Sequence, residues 1–428
     1  MAENSLLVAS AQNGGGKLMS TTKKNYGWVL VWFFFFAIVI NYLDRNNLSY
    51  AATTIQKEFN LTPVQLGSVL AAFLLPYGLS SLVAGYLVDR IGPKVVFIWS
   101  IVLWSLSTIT AGMSHSFETL YLSRVCLGIA EAPCYLVALV VCKKWLAEKE
   151  LAIGTSIFNA GPPVAGILAP PVLTTLIMVF DWRIMFYTLG VLGLLAVIPW
   201  LFLYREPREG DPSFGLVVKS EHKVTLAEYR TLFMQKTTLV LMSAYFGVLW
   251  VQFTFLTWLP SYLQMSRGIS LFKTGIFSLI PFFCGLLGTF AGGYASSYLI
   301  KRGMKAVTAR KTVIVSSLIL SGIFIIPVNY IQSFNISITF MSIAYFFLNL
   351  IFPNTWALAG DVAPDRLTGT LAAIQNFGGF MGGFIGPIVV GYIVETTKSF
   401  DLVFVVAGIM LLFSSCIYGV LLKKKIEM

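Results

Sequence analysis

The sequence predicts an all-α integral membrane protein: twelve transmembrane helices arranged as two pseudo-symmetric six-helix bundles. Three observations carry that prediction. The chain of 428 residues is 57% hydrophobic and only 11% charged, where a soluble protein would carry roughly 25% charged residues. Apolar stretches of about 20 residues, enough to cross a bilayer, recur along its length. Basic residues then collect in alternate loops, as the positive-inside rule requires. A soluble protein with two large cores would be left short of polar surface.

The spans fall near 27–53, 64–87, 95–113, 118–142, 152–175, 184–203, 238–262, 271–297, 311–329, 335–358, 369–393 and 401–422. The first is long because its far end, with Asn46, Asn47 and Ser49, is polar yet meets no breaker before Leu61-Thr62-Pro63. Gly, Pro or charge interrupts the fourth, fifth, tenth and eleventh. Residues 1–26 read as a polar cytoplasmic tail without a cleavable signal peptide. A polar stretch of mixed charge, 205–237, divides the bundle 27–204 from the bundle 238–422, and 423–428 forms a basic tail. The halves echo one another in Gly85-Tyr-Leu-Val-Asp-Arg-Ile-Gly-Pro-Lys94 after the second span and Gly292-Gly-Tyr-Ala-Ser-Ser-Tyr-Leu-Ile-Lys-Arg-Gly303 after the eighth. Paired halves suit a rocking transporter with its site at their interface.

Charge orients the chain. With both ends cytoplasmic, the inner segments hold Lys17, Lys23, Lys24, Arg90, Lys94, Lys143, Lys144, Lys149, Arg205, Arg208, Lys301, Arg302, Lys305, Arg310, Lys311, Arg366 and Lys423–Lys425; the outer loops hold Lys57, Arg183, Arg267, Lys273 and Lys398. The expectation is a multi-pass protein of the cell inner (plasma) membrane, in contact with lipid. This bias accounts for most of the net charge of +11, so no nucleic-acid partner is called for. Cys126, Cys134, Cys142, Cys284 and Cys416 show no metal spacing and read as small core residues. His115 and His222 have no nucleophile or metal arrangement around them, which argues against an enzyme. The glycines of 378–383 lie inside a span and precede no Gly-Lys-Ser/Thr, so neither a phosphate loop, a cofactor nor a metal site is expected.

Of the 19 acids, two lie at membrane depth, Asp44 and Glu131, and the bases within helices are Arg45 and Arg124. At 1.5 Å per residue, Asp44 lies roughly 14 Å in from the first span's far end, Arg124 about 9 Å and Glu131 about 20 Å in from the same side. The depths overlap, so a mixed cluster between the first and fourth spans is geometrically open. Each charge is costly unless it meets a partner or a water-filled cavity. Asp44 with Arg124, or Arg45 with Glu131, could simply hold helices together. In the functional reading, the Arg45 fork grips a carboxylate, and the proton affinity of Glu131 depends on what else occupies the site. Sodium, with Asp44 as an oxygen ligand, is the less favoured coupling ion. Tyr42 and Tyr77 could orient or gate. Gln252, Asn354, Thr355, Trp356, Gln375 and Asn376 are polar or aromatic candidates in the second half, each equally open to a structural role.

The loop Gly85–Lys94 closely matches the signature between helices two and three of the major facilitator superfamily, which the chain resembles. Within it, the chain is similar to the anion:cation symporters, which include bacterial galactonate, glucarate and hexuronate carriers and the animal sialin and vesicular glutamate carriers. The likeness covers residues 26 to 422 and rests on Asn41-Tyr-Leu-Asp-Arg45, Arg124 with Gly128-Ile-Ala-Glu-Ala-Pro133, Thr257-Trp-Leu-Pro-Ser-Tyr262 and Gly391-Tyr392. It implies proton-driven uptake of an organic anion by alternating access. By the same resemblance Arg45 and Tyr77 contact substrate, and Asp44, Glu131 and Arg124 serve proton coupling and gating. Tyr42, Gln252, Thr355, Trp356 and Asn376 complete the pocket, and Asp89, Arg90 and Lys94 act as a conformational lock. The sequence departs from the pattern at Ser297, where many relatives place an acid, and at Pro162-Pro163 in the fifth span.

The reading is a proton symporter, acting as a monomer, that imports a sugar acid such as a hexonate or hexuronate. A dicarboxylate or aromatic acid such as tartrate or phthalate would want a second fixed positive charge, and the second half has none in the membrane. An exporter of drugs or metabolites, or a non-transporting membrane sensor, remain the other classes.

Overall fold

A computed structural model describes residues 2–146, 148–206, 226–364, 367–422 and 426. Arg208, His222, Arg366, Lys423–Lys425 and most of the central linker lie outside the described residues. So do the side chains of Lys17, Lys23, Lys24, Asp89 and Lys149.

The described chain is helical, with twelve helices long and apolar enough to cross a membrane: Tyr26–Glu58, Pro63–Ser81, Pro93–Gly112, Phe117–Trp145, Gly154–Val179, Trp182–Leu203, Lys236–Met265, Leu271–Lys301, Ala306–Val328, Phe334–Val362, Thr368–Thr397 and Asp401–Leu421. They are numbered here as the first to twelfth spans. Number and order match the apolar pattern, but several ends move. The first span runs to Glu58 rather than 53, which sinks Asp44 to about 21 Å from that end. Its helix also continues back through the tail to Ala2. It stops where Asn60 takes a left-handed φ of 52°. Thr62 then caps the second span: its Oγ1 accepts from the Gln65 N–H, and the Gln65 side chain accepts from the Thr62 N–H.

Four spans break in mid-course. The second is interrupted at Ala72-Phe73, the fourth at Ala132-Pro133, the fifth at Ala160 and the tenth at Ile351. Each break falls at a proline or within four residues before one (Pro76, Pro133, Pro162-Pro163, Pro353). Proline has no N–H to give and crowds the carbonyl one turn back, so the helix parts there. The eleventh span, expected to be interrupted, is instead continuous around Pro387. The second span's break was not anticipated, since its lone Pro76 sits in an otherwise unbroken apolar run.

The run Trp32-Phe-Phe-Phe-Phe36 divides by helical period. Trp32 and Phe36, one turn apart, face outward, while Phe34 is fully buried against Phe97 and Trp200, at centroid distances of 5.3 and 5.4 Å. Outward apolar side chains such as Trp99, Phe202 and Phe290 cover the bundle's flanks, as lipid contact demands.

The halves meet near one end. Thr53 Oγ1 donates to Gln264 Oε1 at 2.7 Å, and the Val64 N–H donates to Glu395 Oε2 at 3.0 Å. Gly67 and Gly391 lie directly on the backbone carbonyls of Pro387 and Pro63, drawing the second and eleventh spans together. This end is opposite the one carrying Lys94, Lys144 and Lys301.

Gly128 does the same within the first half. A Cβ there would overlap the Phe73 carbonyl, so only glycine lets the fourth span touch the second at its break. Gly128→Ala is expected to destabilise the protein by about 1–3 kcal/mol through overpacking. An unchanged melting temperature in detergent would show that the contact is not tight.

Candidate substrate and coupling site

Two of the broken turns deliver side chains to the same place. Glu131 ends the first helical segment of the fourth span, and Phe73 occupies the break in the second. Between them lies Arg45 of the first span. Arg45 Nε donates to Glu131 Oε2 at 2.8 Å, with Glu131 fully buried and the Arg45 side chain 9% exposed. The guanidinium stands over three rings: Tyr42 at 4.4 Å, Tyr77 at 4.5 Å and Phe73 at 4.8 Å. Each such contact contributes about 0.5–2 kcal/mol. Arg45 Nη2 and Glu131 Oε1 are buried outside any hydrogen bond of normal geometry; the Tyr77 hydroxyl lies beside the guanidinium and the Asn41 amide beside the Glu131 carboxylate.

Arg124 does something different from what its spacing suggests. Its guanidinium donates to the backbone carbonyls of Asp44 and Arg45 and to Asn47 Oδ1, each at 3.3 Å. It fastens the backbone of the first span and does not hydrogen-bond the Asp44 carboxylate. That carboxylate is fully buried with neither oxygen in a hydrogen bond of normal geometry; the Thr108 hydroxyl of the third span lies beside it. The four charges still form one cluster, with Glu131 and Arg124 the charged neighbours of Asp44.

An aromatic chain crosses to the second half. Tyr77 stacks on Phe73 at 5.2 Å and meets Phe380 of the eleventh span edge-on at 5.1 Å; Phe380 in turn lies 6.1 Å from Phe253. Next to Phe253, Gln252 donates through Nε2 to the Tyr345 hydroxyl at 2.8 Å. Tyr245 of the seventh span places its hydroxyl by Thr355, with Tyr42 also near. Thr355 is buried, Asn376 half-buried and Trp356 47% exposed. Gln375 is buried with both amide ends unpartnered. Asn354 is a structural residue, its amide donating to the carbonyls of Gly292 and Leu350.

The loop residues Arg90 and Lys94 are engaged within the first half: Arg90 donates to the Tyr86 hydroxyl, and Lys94 to the Leu201 carbonyl. The Asp89 side chain lies outside the described residues. Phe73, Tyr245, Tyr345 and Phe380 were not picked out from sequence. They are apolar or aromatic residues in apolar spans, and only the backbone path brings them to the site.

Two halves of six spans around a buried cluster of opposite charges define a secondary membrane transporter and not an enzyme. The chain belongs to the Major Facilitator Superfamily, whose profile matches residues 34–387 and 304–426. It is 33% identical over 401 residues to the "Probable L-galactonate transporter" of Escherichia coli (strain K12), covering 92% of this chain and 88% of that one. To the "Hexuronate transporter" of Bacillus subtilis (strain 168) it is 29% identical, covering 90% and 92%. Its fold is similar to that of a bacterial homologue of the human lysosomal transporter Spinster, solved in an inward-facing, occupied conformation. The TM-score is 0.77 at 17% identity, covering 92% of this chain and 97% of that one.

Removing one partner of a buried ion pair costs about 3–5 kcal/mol, whereas replacing both by apolar groups costs little. Arg45→Met alone is therefore expected to lower the melting temperature clearly. Arg45→Met with Glu131→Leu recovers most of that loss, and both variants lose transport. A double variant that melts no higher than the single would separate the two residues energetically.

Proposed function

We propose that the protein imports a small organic anion, a sugar acid of the hexonate or hexuronate class, together with at least one proton. The observation that carries this reading is the Arg45–Glu131 pair, with Arg45 Nη2 and Glu131 Oε1 both buried and outside any hydrogen bond of normal geometry. A substrate carboxylate would dock at the free end of the guanidinium, where two parallel hydrogen bonds suit it. It then competes with Glu131 for the same fork.

Charge counting supports proton coupling. Asp44, Arg45, Arg124 and Glu131 sum to zero when all are ionised. An arriving monocarboxylate makes the buried cluster net negative, which is costly at membrane depth. A Glu131 displaced from Arg45 takes up a proton and restores neutrality. Substrate and proton thus stabilise each other in the site, which is the thermodynamic content of symport. Asp44, off the fork, tunes the cluster, while Arg124 holds the backbone that carries both members of the first-span pair.

The neutral wall of the second half, with Gln252, Thr355 and Asn376, suits the hydroxyl groups of a polyhydroxylated acid. The relatives named for L-galactonate and hexuronate point to the same chemical class. The basic ends of the spans favour placement in the cell membrane with both termini cytoplasmic. In that orientation the contacts joining Thr53 to Gln264 and Val64 to Glu395 seal the outer side, and the site is reached from the cytoplasm. One polypeptide supplies both walls, so a single chain suffices. Arg90, Lys94 and Asp89 would bridge the halves only when the inner side closes.

The test is uptake of labelled galactonate and glucuronate into proteoliposomes, with an imposed proton gradient, a sodium gradient, or neither. Accumulation is expected with the proton gradient alone. Glu131→Gln should lower gradient-driven uptake to the no-gradient level while exchange of labelled for unlabelled substrate persists. Uptake indifferent to the proton gradient in the unmodified protein would remove proton coupling.

A further inference from the structure

Gln252 is an amide in the middle of the seventh span, and its two ends are treated differently. Nε2 donates to the Tyr345 hydroxyl at 2.8 Å, while Oε1 is buried with no partner. A buried acceptor left unsatisfied destabilises the unliganded state and gains when a donor arrives.

Tyr345 itself is held from every side. Its ring stacks face to face on Phe255 at 4.3 Å and meets Phe282 edge-on at 5.7 Å. It also presses on Gly285, where a Cβ would come within 2.7 Å of the ring. One turn on, Asn349 donates to the Tyr345 backbone carbonyl at 2.8 Å. A ring so clamped fixes where its hydroxyl lies, and the hydroxyl fixes the roll of the Gln252 amide. Phe253, the next residue on the same helix, leads through Phe380 and Tyr77 to the Arg45 fork, so this turn of the seventh span stands at the level of the fork.

We propose that Tyr345 is a positioning residue that holds Gln252 with its carbonyl oxygen turned to the substrate, so that the second half selects a ligand hydroxyl and rejects a second carboxylate. The inference rests on the sugar-acid reading above and narrows it to monocarboxylates with a hydroxylated tail. An oxygen acceptor receives a hydroxyl proton but repels a carboxylate, and the second half supplies no fixed positive charge at membrane depth to offset that repulsion. Freed from Tyr345, the amide could roll over and offer its NH2 group to an anion.

The experiment compares kcat/KM for galactonate with that for galactarate, its dicarboxylate counterpart, in proteoliposomes. Tyr345→Phe keeps the ring and its stacking but removes the hydroxyl. The galactonate-to-galactarate preference is expected to fall about tenfold, equivalent to about 1.4 kcal/mol. Gln252→Leu should lower the preference as well, and adding Tyr345→Phe to it should change nothing further. An unchanged preference in Tyr345→Phe, or full additivity in the double variant, would overturn the positioning role while leaving the transport reading intact. Unmodified protein that carries neither anion would overturn the transport reading and this inference with it.

Discussion

An arginine and a glutamate 2.8 Å apart in the middle of a membrane bundle set the terms for everything around them. Neither charge is tolerable there alone, and their mutual attraction repays desolvation only if the geometry is good. The surrounding structure supplies that geometry. The proline-linked break in the fourth span ends a helix at Glu131; the one in the second span puts Phe73 beneath the guanidinium. Gly128 lets the fourth span touch the second at its break, and Arg124 stitches down the backbone that carries Arg45. Loss of any of these would leave the pair buried but misaligned, the most expensive arrangement available.

Much of this could be read from the chain. Hydropathy locates all twelve spans, and the scarcity of charge within them isolates Asp44, Arg45, Arg124 and Glu131. The pairing was less legible. Arg124 and Asp44 looked like natural partners by depth, yet the guanidinium turns to backbone carbonyls, a choice that depends on how the helices rotate about their axes. Which of two neighbouring side chains is buried was not legible either: one residue of helical phase, about 100°, leaves Trp356 47% exposed beside buried Thr355. Tyr345 carries no sequence signal at all, since an aromatic residue in an apolar span is most often packing. The mid-helix breaks were half visible, because proline marks where a helix can part without saying whether it does.

The two halves divide the chemistry unequally. Every charge at membrane depth belongs to the first, while the second contributes amides, hydroxyls and rings. Charge provides strength and coupling but little discrimination between one carboxylate and another. Neutral groups with fixed donors and acceptors discriminate well, because a mismatched partner leaves a buried polar atom unsatisfied. In the proposed reading, selectivity can therefore be tuned on one wall without disturbing the electrostatics on the other.

The contact that joins the halves has a consequence for speed. It consists of a hydroxyl–amide bond, a carboxylate on the first turn of a helix, and glycines resting on carbonyls. No ion pair between the halves is found there among the described residues. Hydrogen bonds of this kind contribute about 0.5–3 kcal/mol each, and the apolar side chains of the second and eleventh spans packed beside them must part as well. A carrier must break and remake this closure in every cycle, and a brittle or permanent join would stall it. Cargo can shift such a closure only by the difference in how it binds to the closed and the open shape.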